Sequence, residues 1–261
     1  MAVLDDYRIG PSYQAGMLKS RLKWLQFASA SFEQLLWADW ILNASPAVSE
    51  SMYQPLLQRH EKKLLLGTKY AILRAEFSRP RKLAITRPKA LRILVTFGAG
   101  DDRGSMRFVL QALYGRIPNS TLVAVSGSRN PRNSEIKEWF ASLDSGRAIL
   151  YIDPKPIRPI FASCDLAVMS GGTTTFEIAA CGVPMVLLTI AENQLAQALA
   201  WGEIGAALYL GVYGDVSKER LVFQVKQISD NQNQRQRMSE ICSSSVDGRG
   251  AERVALELLN A

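Results

Sequence analysis

Histidine is almost missing from this chain. The single residue, His60, lies in the polar run Gln58-Arg59-His60-Glu61-Lys62-Lys63. This excludes a histidine-built metal centre, and the context reads as a solvent-facing helix rather than a catalytic position. Cysteine is scarce as well. Cys164, Cys181 and Cys242 are odd in number, far apart and set in apolar or helical surroundings, which excludes a disulfide framework and fits reduced thiols. Long apolar runs are also lacking: the longest, residues 185–191, is interrupted by Thr189 and falls short of the roughly 20 residues that span a bilayer. The opening Met-Ala-Val-Leu-Asp-Asp-Tyr-Arg puts two acids where a signal peptide is basic and then apolar. The expectation is a cytoplasmic protein with no membrane span, no metal and no cofactor.

Acid is absent from one stretch. Residues 78–95 carry Arg79, Arg81, Lys82, Arg87, Lys89 and Arg92 and no carboxylate, a large share of the net charge of +7. No aromatic platform interleaves with these charges, and no nucleic-acid motif accompanies them, so nucleic acid is not an expected partner. A solvated basic linker, attraction of a diphosphate ligand and attraction to an anionic membrane face remain as readings.

What is present is an alternation of strands and helices. The 261 residues, 48% hydrophobic and 21% charged, allow one large or two small globular domains. Strands are expected at 2–4, 24–27, 38–43, 64–66, 91–96, 122–125, 149–152, 166–169 and 185–188. Helices are expected at 13–22, 106–114, 134–143, 158–162, after Gly172, at 217–228 and at 251–259. Apolar strands alternating with helices imply parallel sheets with helices on both faces. Pro80 and Pro88 oppose regular structure. They divide the chain into an N-terminal domain (1–78), a basic linker (79–88) and a C-terminal domain (89–261).

Three glycine-bearing turns fall at the carboxyl ends of strands, where such sheets bind ligands: Phe97-Gly98-Ala99-Gly100-Asp101, Ser126-Gly127-Ser128 and Ser170-Gly171-Gly172. The third is the most informative. It opens a helix through Thr173, Thr174, Thr175 and Phe176 to Glu177, followed by the turn Gly182-Val183-Pro184, a strand and Glu192-Asn193-Gln194. Adjacent glycines let a ligand approach the backbone, and unpaired N–H groups at a helix start favour phosphate. A carboxylate one turn into that helix suits ribose hydroxyls better than phosphate. The pattern reads as a nucleotide-diphosphate site, with a nucleotide sugar as its ligand. A capping box, Thr174-x-x-Glu177, is the competing explanation of Glu177, and a helix cap that of Asn193.

Together these residues resemble a known family. Residues 66–77, Leu-Gly-Thr-Lys-Tyr-Ala-Ile-Leu-Arg-Ala-Glu-Phe, resemble the linker signature of PseG, the UDP-sugar hydrolase of pseudaminic acid biosynthesis. The 97–101 turn resembles that family's Gly-Gly-x-Asp loop. The stretch 170–194 resembles its C-terminal nucleotide motif, which MurG-type glycosyltransferases share. Asp5-Asp6-Tyr7, residues 38–43 and Tyr53 also fit, so the resemblance covers essentially the whole chain. It implies a GT-B-like α/β fold of two Rossmann-type domains with parallel sheets, the N-terminal one incomplete, and a ligand in the cleft between them. The implied reaction is hydrolysis of UDP-2,4-diacetamido-2,4,6-trideoxy-β-L-altropyranose to UDP and free sugar.

The resemblance also implies roles. Gly171, Gly172, Thr173, Thr174, Thr175, Glu177, Gly98, Asp101, Gly127 and Ser128 are expected to bind UDP, with Glu177 on the ribose and Gly127 and Ser128 at the uracil. Asn193 and Gln194 are expected near the diphosphate and sugar. Tyr7, with Asp6, is expected near the scissile bond in a supporting catalytic role. The family's base is a histidine in a Gly-rich loop, and the chain is expected to open beyond that loop. Two alternatives stand beside the hydrolase: a MurG-like transferase, or a UDP-binding half that needs a partner subunit or a missing N-terminal segment.

Overall fold

The structure, a computed structural model, describes residues 1–6, 9–28, 35–57, 62–78, 87–143 and 146–260. The chain forms two compact units, Met1–Leu73 with Gly248–Ala261, and Arg74–Asp247.

The first unit is built on a four-stranded parallel sheet whose order follows the sequence: β1 (Ala2–Leu4), β2 (Trp24–Phe27), β3 (Trp40–Asn43) and β4 (Lys63–Leu66). Helix α1 (Pro11–Lys19) follows β1, and the short α2 (Glu50–Tyr53) follows β3. Strand periodicity sends alternate residues to opposite faces, and here both faces are covered. Trp24, Ile41 and Leu64 pack with Leu36, Ala38 and Tyr53 on one side. Leu25, Trp40, Leu42 and Leu65 pack on the other against Val254 and Leu258 of the last helix. That is why these strands read as near-continuous apolar runs.

The second unit carries a six-stranded parallel sheet. In sequence order its elements are β5 (Arg92–Thr96), α3 (Ser105–Leu113), β6 (Thr121–Ser126), α4 (Asn133–Ala141), β7 (Ala148–Ile152), α5 (Arg158–Ala162), β8 (Leu166–Met169), α6 (Thr174–Ala180), β9 (Met185–Thr189), α7 (Leu195–Glu203), β10 (Ala207–Val212), α8 (Lys218–Asp230) and α9 (Gln232–Ser245). In space the strands run β10-β9-β8-β5-β6-β7. The first three strands run outward from β5 in one direction and the last three from β8 in the other, a doubly wound order. Ile93, Val95, Val168, Val186 and Leu188 form a buried core with α3 and α8.

Three elements of the second unit escape the sequence pattern. α9 is polar along most of its length, and its buried residues, Arg235, the adjacent Met238 and Ser239, and Cys242, are spread over two turns amid glutamines and serines. β10 is interrupted by Gly211, at φ +130°, with a register shift against β9 between Tyr209 and Gly211. α7 carries apolar residues on its exposed side too, at Leu195 and Leu199, which hides its period.

The domain limits also differ from those read in the sequence. Residues 248–261 were expected to close the second domain, yet α10 (Gly250–Leu259) packs on the first sheet. A Cβ on Gly250 would lie 2.1 Å from the Ala71 carbonyl oxygen, Arg253 donates to the Lys69 carbonyl at 2.9 Å, and Lys63 pairs with Glu257. An amphipathic pattern identifies the buried face of a helix but not the sheet it buries against. Most of the expected linker, residues 79–86, lies outside the described residues, as does His60. Where the basic stretch is described, Arg87 pairs with Asp165 at 2.6 Å, and Asp165 also accepts the N–H groups of Leu91 and Arg92.

The three cysteines are buried. Burial pushes the Cys164 thiol up to about 11, against a smaller lowering by Arg92, so it is protonated and unreactive at neutral pH. Among the described residues no helix is long and apolar enough to cross a membrane, and no three His, Cys, Asp or Glu side chains gather in a metal-binding group.

Candidate functional site

The strand order creates the site. Chain connections diverge between β5 and β8, and in doubly wound sheets this leaves a crevice beyond their carboxyl ends. The loops that follow β5, β6, β8 and β9 all emerge at that end, and they carry the second unit's sequence candidates.

After β5, Gly98 takes φ +91° with no atom of the described residues within 4 Å of where a Cβ would stand, so its backbone rather than crowding demands glycine. Asp101 is exposed; its carboxylate accepts the Arg103 N–H at 2.8 Å and the Arg132 Nε–H at 3.4 Å. Its buried neighbour Asp102 accepts the Gly104 N–H at 2.9 Å, while among the described residues its Oδ2 finds no hydrogen-bond partner.

After β6, Gly127 is held by crowding. A Cβ there would stand 2.4 Å from the Ala99 Cα and 2.6 Å from the Ala99 oxygen. The loops after β5 and β6 therefore touch backbone to backbone. Ser128 is exposed, its hydroxyl 3.5 Å from Asp153 Oδ2.

The turn after β8 contains two unlike glycines. A Cβ on Gly171 would meet the Ala198 Cβ at 2.9 Å and the Gln194 carbonyl at 3.0 Å, so this residue is small because α7 packs against it. At Gly172 the nearest atoms are Gln194 Nε2 at 3.8 Å and Ser170 Oγ at 3.9 Å, ordinary contacts. Space does not demand glycine at 172.

The three threonines divide in the same way. Thr173 is exposed and Thr174 half-buried at the start of α6. Thr175 is fully buried: its hydroxyl donates to the Gly172 carbonyl at 2.7 Å and accepts from Gln197 and Trp201, each at 2.9 Å. Gln197 also donates to the carbonyls of Gly171 (3.0 Å) and Gly172 (2.8 Å). The Thr175 hydroxyl, expected on the nucleotide, is thus spent inside the protein, where it shapes the turn. Gln197 and Trp201 were not singled out in the sequence. Their only signal is the four-residue spacing that puts both on one side of α7.

After β9, residues 192–194 form a 3₁₀ turn. The Gln194 side-chain carbonyl accepts the Ile190 N–H at 3.0 Å, which fixes the loop and leaves its amide beside Gly172. Asn193 is exposed and does not cap α7, whose N-cap residue is Gln194.

The capping box is not formed. The N-cap of α6 is Thr173, without a side-chain cap bond. Glu177 instead accepts from Arg74, through Nη2 at 2.8 Å and Nε at 3.2 Å. Burial raises the Glu177 carboxyl above its ordinary range, the Arg74 hydrogen bond and charge lower it, and Glu76 adds a further rise. The Arg74 pair, rather than a helix cap, is the contact that holds this mostly buried carboxylate. In the first unit, Asp6 lies two residues beyond β1, and Tyr7 falls outside the described residues.

No protein-family profile matches the chain. It is 27% identical over 191 residues to the spore coat polysaccharide biosynthesis protein SpsG of Bacillus subtilis (strain 168), covering 72% of this chain and 56% of that protein. The chain spans about half the length of the curated relatives it matches. Among solved structures, MurG of Acinetobacter baumannii superposes with a TM-score of 0.65 at 14% identity, covering 100% of this chain and 73% of that one. MnaA of S. aureus, solved with UDP, gives a TM-score of 0.64 at 13% identity, over 94% of this chain and 70% of that one. At such identities the likeness speaks to architecture. The chain has a GT-B-like α/β fold, with two parallel, Rossmann-like sheets of four and six strands.

Proposed function

We propose that this protein binds a UDP-sugar at the carboxyl end of its six-stranded sheet and hydrolyses it, as a PseG-like enzyme of bacterial surface-sugar biosynthesis. The observation that carries the reading is the turn after β8. Gly172 is bare without a packing reason, and Glu177 lies one turn on without serving as a cap. Both are what a nucleotide diphosphate needs. The first gives access to backbone N–H groups, and the second accepts from ribose hydroxyls. The naming of SpsG for polysaccharide biosynthesis and the UDP in the MnaA structure support the same reading.

In this reading the backbone of Gly171, Gly172 and Thr173, with the Thr173 and Thr174 hydroxyls, faces the diphosphate. Gly98 and Asp101 line the crevice from β5, and Gly127 and Ser128 border the uracil. Asn193 and Gln194 reach the diphosphate and sugar. Hydrolysis breaks the anomeric C–O bond, and the bonding pair leaves with UDP. Water supplies hydroxide to the sugar and a proton to a base or solvent. N–H donors at the helix start stabilise the charge growing on the departing oxygen; losing one such donor costs about 3 kcal/mol of transition-state stabilisation.

The test is product analysis with radiolabelled UDP-sugar. Release of free sugar together with UDP supports the hydrolase. Passage of label to a lipid acceptor without free sugar replaces it with a transferase of the MurG type.

A further inference from the structure

The linker signature contains more than a connection. Its last four residues, Arg74, Ala75, Glu76 and Phe77, form a braced arm inside the second unit. Phe77 is buried, 6.4 Å centroid to centroid from Phe161. The Arg74 guanidinium lies over the Phe77 ring at 5.3 Å. Glu76 is fixed at one oxygen by the N–H groups of Ile157 (3.1 Å) and Arg158 (3.0 Å) at the start of α5, and its other oxygen lies 3.3 Å from Arg74 Nη1. Arg74 is thereby held on two sides before it reaches Glu177.

Both Arg74 donors converge on a single oxygen, Glu177 Oε1. Among the described residues Oε2 accepts no hydrogen bond, and it is not sealed from solvent. One oxygen is anchored and the other is presented. We propose that Arg74 is a positioning residue for the nucleotide site, aiming the Glu177 carboxylate so that Oε2 accepts from a ribose hydroxyl. The proposal rests on the UDP reading above. The charged groups acting on Glu177 are Arg74 and, opposing it, Glu76. Burial alone favours the protonated acid, which would donate to the ribose instead of accepting. Arg74 counters this, and its planar fork also sets direction in a way that a lysine cannot.

Arg74→Gln and Arg74→Lys test this with two readouts. The first is the pH titration of the Glu177 carboxyl carbon by NMR in the ligand-free protein, assigned with Glu177→Gln. The second is calorimetric titration of UDP and of 2′,3′-dideoxy-UDP at neutral and mildly acidic pH. Arg74→Gln is expected to move the Glu177 titration to higher pH. It should weaken UDP about tenfold, the scale of one charge-assisted hydrogen bond, while dideoxy-UDP binds both proteins alike. The pH at which UDP affinity fades should rise in parallel. Arg74→Lys should restore the titration but only part of the affinity. An unmoved Glu177 titration, or equal losses for UDP and its dideoxy analogue, would overturn the role of Arg74. Absence of UDP binding by the wild-type chain would overturn the nucleotide reading, and the ribose role with it. The carboxyl titration would still report separately whether Arg74 holds Glu177.

Discussion

Two turns at the same end of one sheet use glycine for different reasons. After β6, Gly127 is explained by the fold alone, because the backbone of Ala99 fills the space a side chain would take. After β8, Gly171 has a similar explanation in Ala198 and the Gln194 carbonyl, and Gly172 has none. A glycine pair in a sequence therefore need not be one signal. Half of this pair belongs to packing, and in the proposed reading the other half admits a ligand. Gly172 is the residue whose identity the fold does not require, and so the one whose identity says most about function.

Substitution by alanine should break or sharpen this contrast. Gly127→Ala should cost most, about 3 kcal/mol, because its neighbours are backbone atoms that cannot turn aside; chemical denaturation measures it. Gly171→Ala should cost about 2 kcal/mol by the same measurement, since the nearest atom belongs to the short Ala198 side chain and α7 can shift slightly. Trp201→Phe removes one donor to Thr175, whose hydroxyl keeps Gln197, and should cost about 1 kcal/mol. Gly172→Ala should leave stability unchanged or raise it by about 0.5 kcal/mol. Its mark should be a loss of UDP affinity. Destabilisation of Gly172→Ala as large as that of Gly171→Ala would erase the distinction.

The sequence carried all of the sheet but β10, and its turns, because their chemistry is local. Runs such as Leu166–Met169, bounded by Asp165 and Ser170, can hardly be anything but buried strands, and Gly182, at φ +59°, ends α6 where the Gly-Val-Pro turn indicated. The site's inner bracing was not legible for the opposite reason. Arg74 and Glu177 meet across 103 positions of sequence, and nothing in Leu-Arg-Ala-Glu-Phe names the partner. Three consecutive threonines look alike on paper, yet helix geometry turns Thr175 inward to Trp201 and leaves Thr173 outside. The placement of α10 on the first sheet depends on Gly250 meeting Ala71, again a distant pairing.

The account rests on the turn after β8 being a UDP site, and calorimetric titration of UDP into the wild-type, Gly172→Ala and Glu177→Gln proteins tests that most directly. It predicts micromolar binding by the wild type and at least about tenfold weakening in each variant, with thermal stability retained. No heat of binding in the wild type, or equal affinity in all three, would contradict it.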